Sequence, residues 1–229
     1  MASPAAAEAS RLLRPALLEG VGVVLAGAAP AGPGSEPGAG SSALAGHAAL
    51  AGLGARVAVC PLHASDAEAL DGAASEEQRI EAAVAASLDA LGDRADALVV
   101  DAASLFVAAG GDSGGLMSSM QASWAVTRAV ANAAFLPDGG GNGGRIALVA
   151  PAAGSSRADS VVAALENLAR TLATEWARYG VTSVAIAPGP GNTAAELGTV
   201  LAYLASPAGS YFSGCLLDLR GAGTGTGTA

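Results

Sequence analysis

The chain contains no lysine, because all eleven of its basic residues are arginine. A lysine ammonium is the group that forms a Schiff base with a carbonyl, acts as a general base when its pKa is depressed, or reaches the phosphates above a Walker-type loop. This chain therefore has no side-chain ammonium group for any of these three functions. Any reaction it performs must use carboxylate, hydroxyl, thiol, imidazole or guanidinium groups.

The other reactive side chains do not form a recognisable cluster along the sequence. Cys60 and Cys215 lie in apolar, strand-like runs, and neither His47 nor His63 stands at a zinc-like spacing from them. We expect two reduced, buried thiols and no metal site. Asp101 follows an apolar run, where ligands often bind in α/β proteins, but a lone aspartate at such a place more often caps a turn.

The composition is that of one globular domain with a core of small side chains. The chain has 229 residues, of which 52% are hydrophobic, 14% charged and only 3% aromatic. Its net charge of −9 would repel a nucleic-acid backbone, so no nucleic-acid partner is expected.

No membrane partner is expected either. The longest apolar stretch near the N-terminus, at 21–31, is too short and too rich in glycine to span a bilayer. Residues 1–18 lack the apolar core of a signal peptide, so a cytoplasmic protein is predicted.

Apolar runs alternate with helical patterns along the chain. The runs are mostly continuous, which is typical of strands in a parallel sheet that is covered on both faces. The sequence thus predicts a single α/β domain built on a doubly wound parallel sheet. The predicted strands are 21–27, 56–60, 97–100, 145–150, 181–187 and 215–219, and the predicted helices are 43–53, 75–91, 116–136, 157–179 and 195–205.

Three further segments complete the predicted organisation. Residues 1–18 form an N-terminal surface helix, 19–220 the α/β domain, and 221–229 a disordered tail that repeats glycine and threonine. Residues 28–42 and 110–115 are predicted to be loops because glycine and proline dominate the first and glycine the second.

The second half of the chain resembles the short-chain dehydrogenase/reductase family. Residues 163–180 are similar to the helix that follows the catalytic tyrosine of that family, and 184–189 to the next strand and turn. The resemblance covers most of 20–222 and implies a Rossmann-like fold with a shortened substrate lid. Further matching segments are 96–99 and 144–149 in two central strands, and 204–207 and 213–214 in the C-terminal motif.

The resemblance implies a catalytic site that has lost its reactive groups. In the family a tyrosine exchanges a proton with the substrate oxygen, a lysine supports it, a serine orients the carbonyl and an asparagine supports a water relay. Ala158 stands at the tyrosine position, Val162 at the lysine, Pro151 at the serine and Ser119 near the asparagine. Three of these four have no proton to exchange, so no catalytic residue is assigned.

The resemblance also locates the remains of a cofactor site. Gly27, Gly32 and Gly34 correspond to the glycines that bring backbone N–H groups to a pyrophosphate, but three prolines between residues 30 and 37 remove donors and stiffen the loop. Asp101 lies in the segment under the adenine ribose. Thr193 keeps the spacing of a nicotinamide contact, but a cap on the following helix explains the same residue without a ligand and is the interpretation that we favour. We therefore expect no cofactor in this chain.

These losses predict a non-catalytic subunit that assembles with an active relative in an NAD(P)-dependent oxidoreductase, as in some heteromeric hydroxyacyl-CoA dehydrogenases of the family. Helices 116–136 and 157–179 would form the interface with an identical or a related chain, with Trp124 or Trp176 partly buried beside it. Two alternatives stay open. One is an active enzyme that uses Asp101, Ser119 or Ser155, and the other is a regulatory module that binds a nucleotide without catalysis.

Overall fold

Six parallel strands form one sheet in the computed structural model, which describes residues 4–29, 42–62, 75–136, 143–152 and 157–221. The spatial order is β2-β1-β3-β4-β5-β6, and every neighbouring pair is parallel. This confirms the predicted doubly wound α/β fold. The strands are β1 (Gly22–Ala28), β2 (Arg56–Leu62), β3 (Ala97–Asp101), β4 (Gly144–Val149), β5 (Val181–Ala187) and β6 (Cys215–Asp218).

Helices cover both faces of the sheet and close two separate apolar cores. One core contains residues from α1, α2 and α7, and the other contains residues from α3, α4, α5 and α6. The α-helices are α1 (Pro4–Leu12), α2 (Ser42–Gly52), α3 (Glu76–Ala90), α4 (Ala102–Ala108), α5 (Ser113–Val130), α6 (Ala158–Glu175) and α7 (Ala194–Ala205), with a π-helical turn at Ala131–Phe135 and 3-10 turns at Ala177–Tyr179 and Pro207–Tyr211.

Continuous apolar runs form these strands because successive side chains enter opposite cores. In β1, Val24 and Ala26 face the core under α3 to α6, while Val23 and Leu25 face the core under α1, α2 and α7. All four side chains are almost fully buried. A run with polar residues at alternate positions would leave one face without apolar contacts, so the absence of alternation is what specifies a sheet covered on both sides.

A capping box at Ser75 and Gln78 starts α3. The Ser75 hydroxyl accepts a bond from the Gln78 N–H, and the Gln78 side chain accepts one from the Ser75 N–H. These two bonds satisfy backbone donors that the first turn of a helix leaves free.

The structure adds one helix and corrects three predicted boundaries. Helix α4 was not predicted, and α5 begins at Ser113, inside the predicted loop 110–115, because the Asp112 carboxylate accepts a bond from the Gly115 N–H and starts the helix. Strand β2 continues to Leu62. The N-terminal helix ends at Leu12 and not at residue 18, since Ala16 adopts a left-handed conformation (φ 58°). The predicted tail lies almost wholly outside the described residues.

No helix in the described part of the chain is long and apolar enough to cross a membrane. Helix α5 has the length but carries serine, glutamine and threonine along its whole course.

Ser183 on β5 places a polar hydroxyl group in the protein interior. Its hydroxyl is buried and has no hydrogen-bond partner among the described residues, so the folded state carries a desolvation cost without a compensating bond. We expect Ser183→Ala to raise the free energy of unfolding by about 1 kcal/mol, as measured by urea denaturation. The matched control is Ser87→Ala, which removes a buried hydroxyl that donates to the Ala83 carbonyl at 2.8 Å and should lower stability. A loss of stability in both variants would contradict the prediction.

Candidate functional site

The carboxyl ends of all six strands lie at one edge of the sheet, which is where α/β proteins bind ligands. The chain passes from β1 outward to β2 and then crosses to β3 on the other side of β1. The crevice between the ends of β1 and β3 is therefore the topological switch point of this sheet. It is the first place to look for a site.

One hydrogen bond crosses this crevice, and two local bonds hold its acceptor, Ser104, in place. The Ala28 N–H at the end of β1 donates to the Ser104 hydroxyl at 3.0 Å, and that hydroxyl donates to the Asp101 carbonyl at 2.9 Å. The Asp101 carboxylate accepts a bond from the Ser104 N–H at 3.1 Å, which starts α4. The predicted capping role of Asp101 is therefore present, and its side chain is fully buried. Sequence reasoning missed Ser104, although an aspartate followed by seven helix-forming residues is an N-terminal helix signal.

The residues at the four family positions are buried and mostly apolar. Pro151 follows β4, and Ala158 and Val162 lie one turn apart on the buried face of α6, at 1% and 6% exposure. Ser119 on α5 is also buried, and its hydroxyl donates to the Leu116 carbonyl at 3.0 Å. The Ser119 hydroxyl is therefore the one proton-bearing side chain of the four, and it is already engaged within its own helix.

A small ionic cluster joins the end of β6 to the start of α6. Arg220 donates to both carboxylate oxygens of Asp218, at 2.8 and 2.7 Å, and to Asp159 at 3.2 Å. Hydrogen bonds from Arg220 lower the pKa of Asp218 to about 2, and the same pair raises the pKa of Arg220. The backbone of Arg220 also packs against Gly189, where a Cβ would lie 2.9 Å from the Arg220 Cα. Nothing in the sequence marked this cluster except the i, i+2 spacing of Asp218 and Arg220.

Two of the remaining candidate cofactor residues, Thr193 and Gly27, have structural positions in a helix cap and a strand. Thr193 caps α7, since its hydroxyl accepts the Glu196 N–H at 3.1 Å and the Glu196 carboxylate accepts the Thr193 N–H at 2.8 Å. Gly27 lies within β1, opposite Pro61. Gly32 and Gly34 lie outside the described residues, as does Ser155.

The two thiols are far from each other, on opposite sides of the sheet. Cys60 is on β2 and Cys215 on β6, the two outer strands of the sheet. Cys60 is buried as predicted, whereas Cys215 is only partly buried because it lies on an outer strand. Desolvation raises the pKa of both thiols and so favours the protonated form. Within the described ranges, no three His, Cys, Asp or Glu side chains come close enough to hold a metal ion.

A small cavity lies under α7, away from the carboxyl edge. Its volume of about 10 Å³ is room for roughly one water molecule. Arg145 at the start of β4 reaches it and donates to the Ala205 carbonyl at 2.8 Å. The cavity is therefore too small to bind a substrate. The polar residues in the lining are Arg145 and Thr182.

Helix α5 presents an apolar surface that carries almost no charge. Met117 and Trp124 are 59% and 41% exposed, and Trp124 stacks on Trp176, with 6.3 Å between ring centroids and 22° between ring planes. Arg128 is the one charged residue of α5, and it is paired with Glu77 of α3. Depletion of charge around exposed aromatic and methionine side chains is typical of interface cores.

Comparison with solved structures identifies the fold. The chain resembles a citronellol catabolism dehydrogenase from Pseudomonas aeruginosa (TM-score 0.61, 22% identity, 90% of this chain and 96% of that one). It also resembles an enoyl-(acyl-carrier-protein) reductase from Anaplasma phagocytophilum, solved in complex with NAD (TM-score 0.63, 19% identity, 89% and 91%). A third similar structure is a short-chain dehydrogenase/reductase variant from Serratia marcescens (TM-score 0.64, 20% identity, 88% and 96%).

This chain therefore has the fold of the short-chain dehydrogenases/reductases over nearly its whole length. No protein-family model matches the sequence. No curated protein matches it either.

The ionic cluster at the carboxyl edge predicts a loss of stability in acid. The pKa of Asp218 is about 2 in the folded protein, below its ordinary value of 3.8, so ionised Asp218 stabilises the fold. That contribution is complete above the unfolded-state pKa and is lost as the pH falls from about 4 to about 2. Asp218→Asn should therefore unfold at a lower temperature than the unsubstituted chain at neutral pH. The difference in Tm should shrink as the pH falls through about 2. A Tm difference that is the same at pH 7 and pH 2 would contradict the role of the charge.

Proposed function

We propose that this chain is a non-catalytic subunit that assembles with an active short-chain dehydrogenase/reductase to form a cytoplasmic, NAD(P)-dependent oxidoreductase, such as a hydroxyacyl-CoA dehydrogenase. The observation that carries the proposal is the pair Ala158 and Val162. These two buried aliphatic side chains stand on α6 where the resemblance places a tyrosine and a lysine.

Reduction of a carbonyl requires a proton donor of suitable pKa within hydrogen-bond reach of the substrate oxygen. Alanine, valine and proline cannot supply one, and the chain has no lysine that could take over from another position. Ser119 is buried and bonded to Leu116, and a serine hydroxyl without an adjacent base is a weak acid. The chemistry at the site positions therefore supports a subunit without catalysis.

The switch point supports the absence of a cofactor in this chain. A pyrophosphate at this edge is normally bound by free backbone N–H groups at the end of the first strand and in the loop after it. Here the Ala28 N–H is bonded to Ser104, and the sequence that follows has three prolines. The described residues do not fit a dinucleotide, so we assign the NAD(P) to the active partner.

The surface of α5 and α6 supports assembly. A monomer would expose Met117 and Trp124 on α5, whose one charged residue, Arg128, is paired with Glu77, and soluble monomers seldom expose large apolar patches. Two paired helices of this length could bury on the order of 1,500 Å², which is enough for a stable complex. The face could pair with an identical chain or with an active relative.

The alternative of an active enzyme with an unusual site rests on Asp101. Its carboxylate is at the switch point, but it is fully buried and caps α4. A base in that position would have to give up the cap before it could reach a substrate, so the non-catalytic subunit is the proposal that fits the site better.

The proposal predicts no hydride transfer by the isolated chain. We expect no change in the absorbance of NADH or NADPH with ketone, aldehyde or acyl-CoA substrates. Turnover that disappears in Asp101→Ala or Ser119→Ala would overturn the proposal in favour of an active enzyme. Calorimetric titration with the same dinucleotides separates the third possibility, since micromolar affinity without turnover would indicate a nucleotide-binding regulatory module.

The proposal also predicts that assembly depends on α5. Light scattering of the chain alone, and again with the protein encoded by its neighbouring gene, should show a complex in at least one of the two measurements. Trp124→Asp should weaken that complex by more than tenfold, because it places a charge in an apolar interface. The control is Tyr211→Asp, since Tyr211 is 89% exposed and lies outside α5 and α6. A monomer in both light-scattering measurements, or equal association of the Trp124→Asp and Tyr211→Asp variants, would contradict the assignment of the interface.

A further inference from the structure

Helix α1 lies across α2 and α7 on the face of the sheet opposite α5 and α6. Ala9 is fully buried, while Ala6 and Leu13 are partly buried, and the positions 6, 9 and 13 form one side of a helix. The contact with α2 is close. A Cβ added to Gly52 would lie 2.7 Å from the Cβ of Ala6 and 3.3 Å from its Cα.

The surface that receives α1 is recognised by shape and not by charge. Helix α2 has no acidic or basic residue in its first or last turn, and Glu196 is the one charged residue of α7, where it is used in the cap of that helix. Partly buried Val200 and Tyr203 of α7 belong to the same apolar cluster as Ala9 and Leu13. The small side chains of Ala6 and Ala9 let the helix backbones approach, and Leu13 fills the space one turn later.

The connection between α1 and the sheet is short and strained. Leu18 is fully buried, and its N–H donates to the Leu53 carbonyl at 3.0 Å, so the chain is fixed again from Leu18 onward. The five residues between Leu12 and Leu18 include Ala16 in the left-handed region, at φ 58°. The left-handed conformation is unfavourable for alanine, and this strain is released if the segment straightens.

We infer that the face formed by α2 and α7 is a helix-binding groove, and that its ligand is a short alanine-rich helix. In the structure α1 fills the groove of its own chain. When the segment 13–17 straightens, the same groove accepts α1 of a second copy, because that helix already has the complementary surface. The inference is independent of the proposed function, since it concerns the other face of the sheet.

The test uses the full chain with Ala9→Asp, which places a charge on the buried side of α1 and leaves the groove unchanged. Hydrogen exchange should show that α1 loses protection while the strands keep theirs. A fluorescently labelled synthetic peptide of residues 4–17 should then bind the variant saturably. It should bind the unsubstituted chain at least tenfold more weakly, because the tethered α1 competes at an effective concentration on the order of millimolar.

Gly52→Leu, added to Ala9→Asp, should abolish peptide binding, because the leucine occupies the position of Ala6. The matched control is Ala51→Leu on the exposed neighbouring position, which should leave binding unchanged. Equal peptide binding by the unsubstituted chain and Ala9→Asp, or no binding to folded Ala9→Asp, would overturn the inference.

Gly52→Leu alone provides a second test if Ala9→Asp does not fold. It should remove the protection of α1 against hydrogen exchange, whereas Ala51→Leu should not. Full protection of α1 in Gly52→Leu would overturn the inference.

Discussion

All six strands run in the same direction, and this constraint determines where the helices and the ends of the strands lie. Parallel neighbours need a crossover after each strand, and the crossovers bring helices to both faces, so the strand side chains must be apolar on both sides. The same constraint brings the ends of β1, β3, β4, β5 and β6 together at one edge. The side chains at that edge therefore determine which ligands the protein can bind there.

In this chain the carboxyl edge is occupied by bonds that hold the fold together. Ser104 joins β1 to β3, Arg220 joins β6 to α6, and Asn192 accepts the Gly189 N–H at 2.7 Å after β5. Polar groups that would contact a ligand in a binding site here satisfy the backbone and each other. Among the described residues, these polar groups at the edge therefore serve the fold, while exposed apolar side chains such as Met117 and Trp124 lie on α5. This division is the physical basis for proposing a subunit whose role is assembly.

The sequence was sufficient to predict the fold and the capping roles of Asp101 and Thr193, because both depend on local pattern. Continuous apolar runs indicate a parallel sheet, and an aspartate or threonine before a helical pattern indicates a cap. It was not sufficient for α4, where glycines after residue 109 obscured a short helix, or for Ser104, whose bond to Ala28 joins residues 76 positions apart. The pairing of Arg220 with Asp159 could not be predicted from the sequence either, since it depends on how α6 is placed against β6.

The stacked tryptophans have a consequence for how this protein is observed. Trp124 and Trp176 are the only two tryptophans in the chain, and they lie 6.3 Å apart between α5 and the end of α6. The intrinsic fluorescence and the near-ultraviolet circular dichroism therefore arise chiefly from one point between two helices. Any event that separates these helices, or buries them against another chain, changes the spectrum directly. Rearrangement of α1, α2 or α7 on the far side of the sheet leaves the same signal almost unchanged, so optical experiments on this protein sample one layer of the structure and are nearly blind to the other.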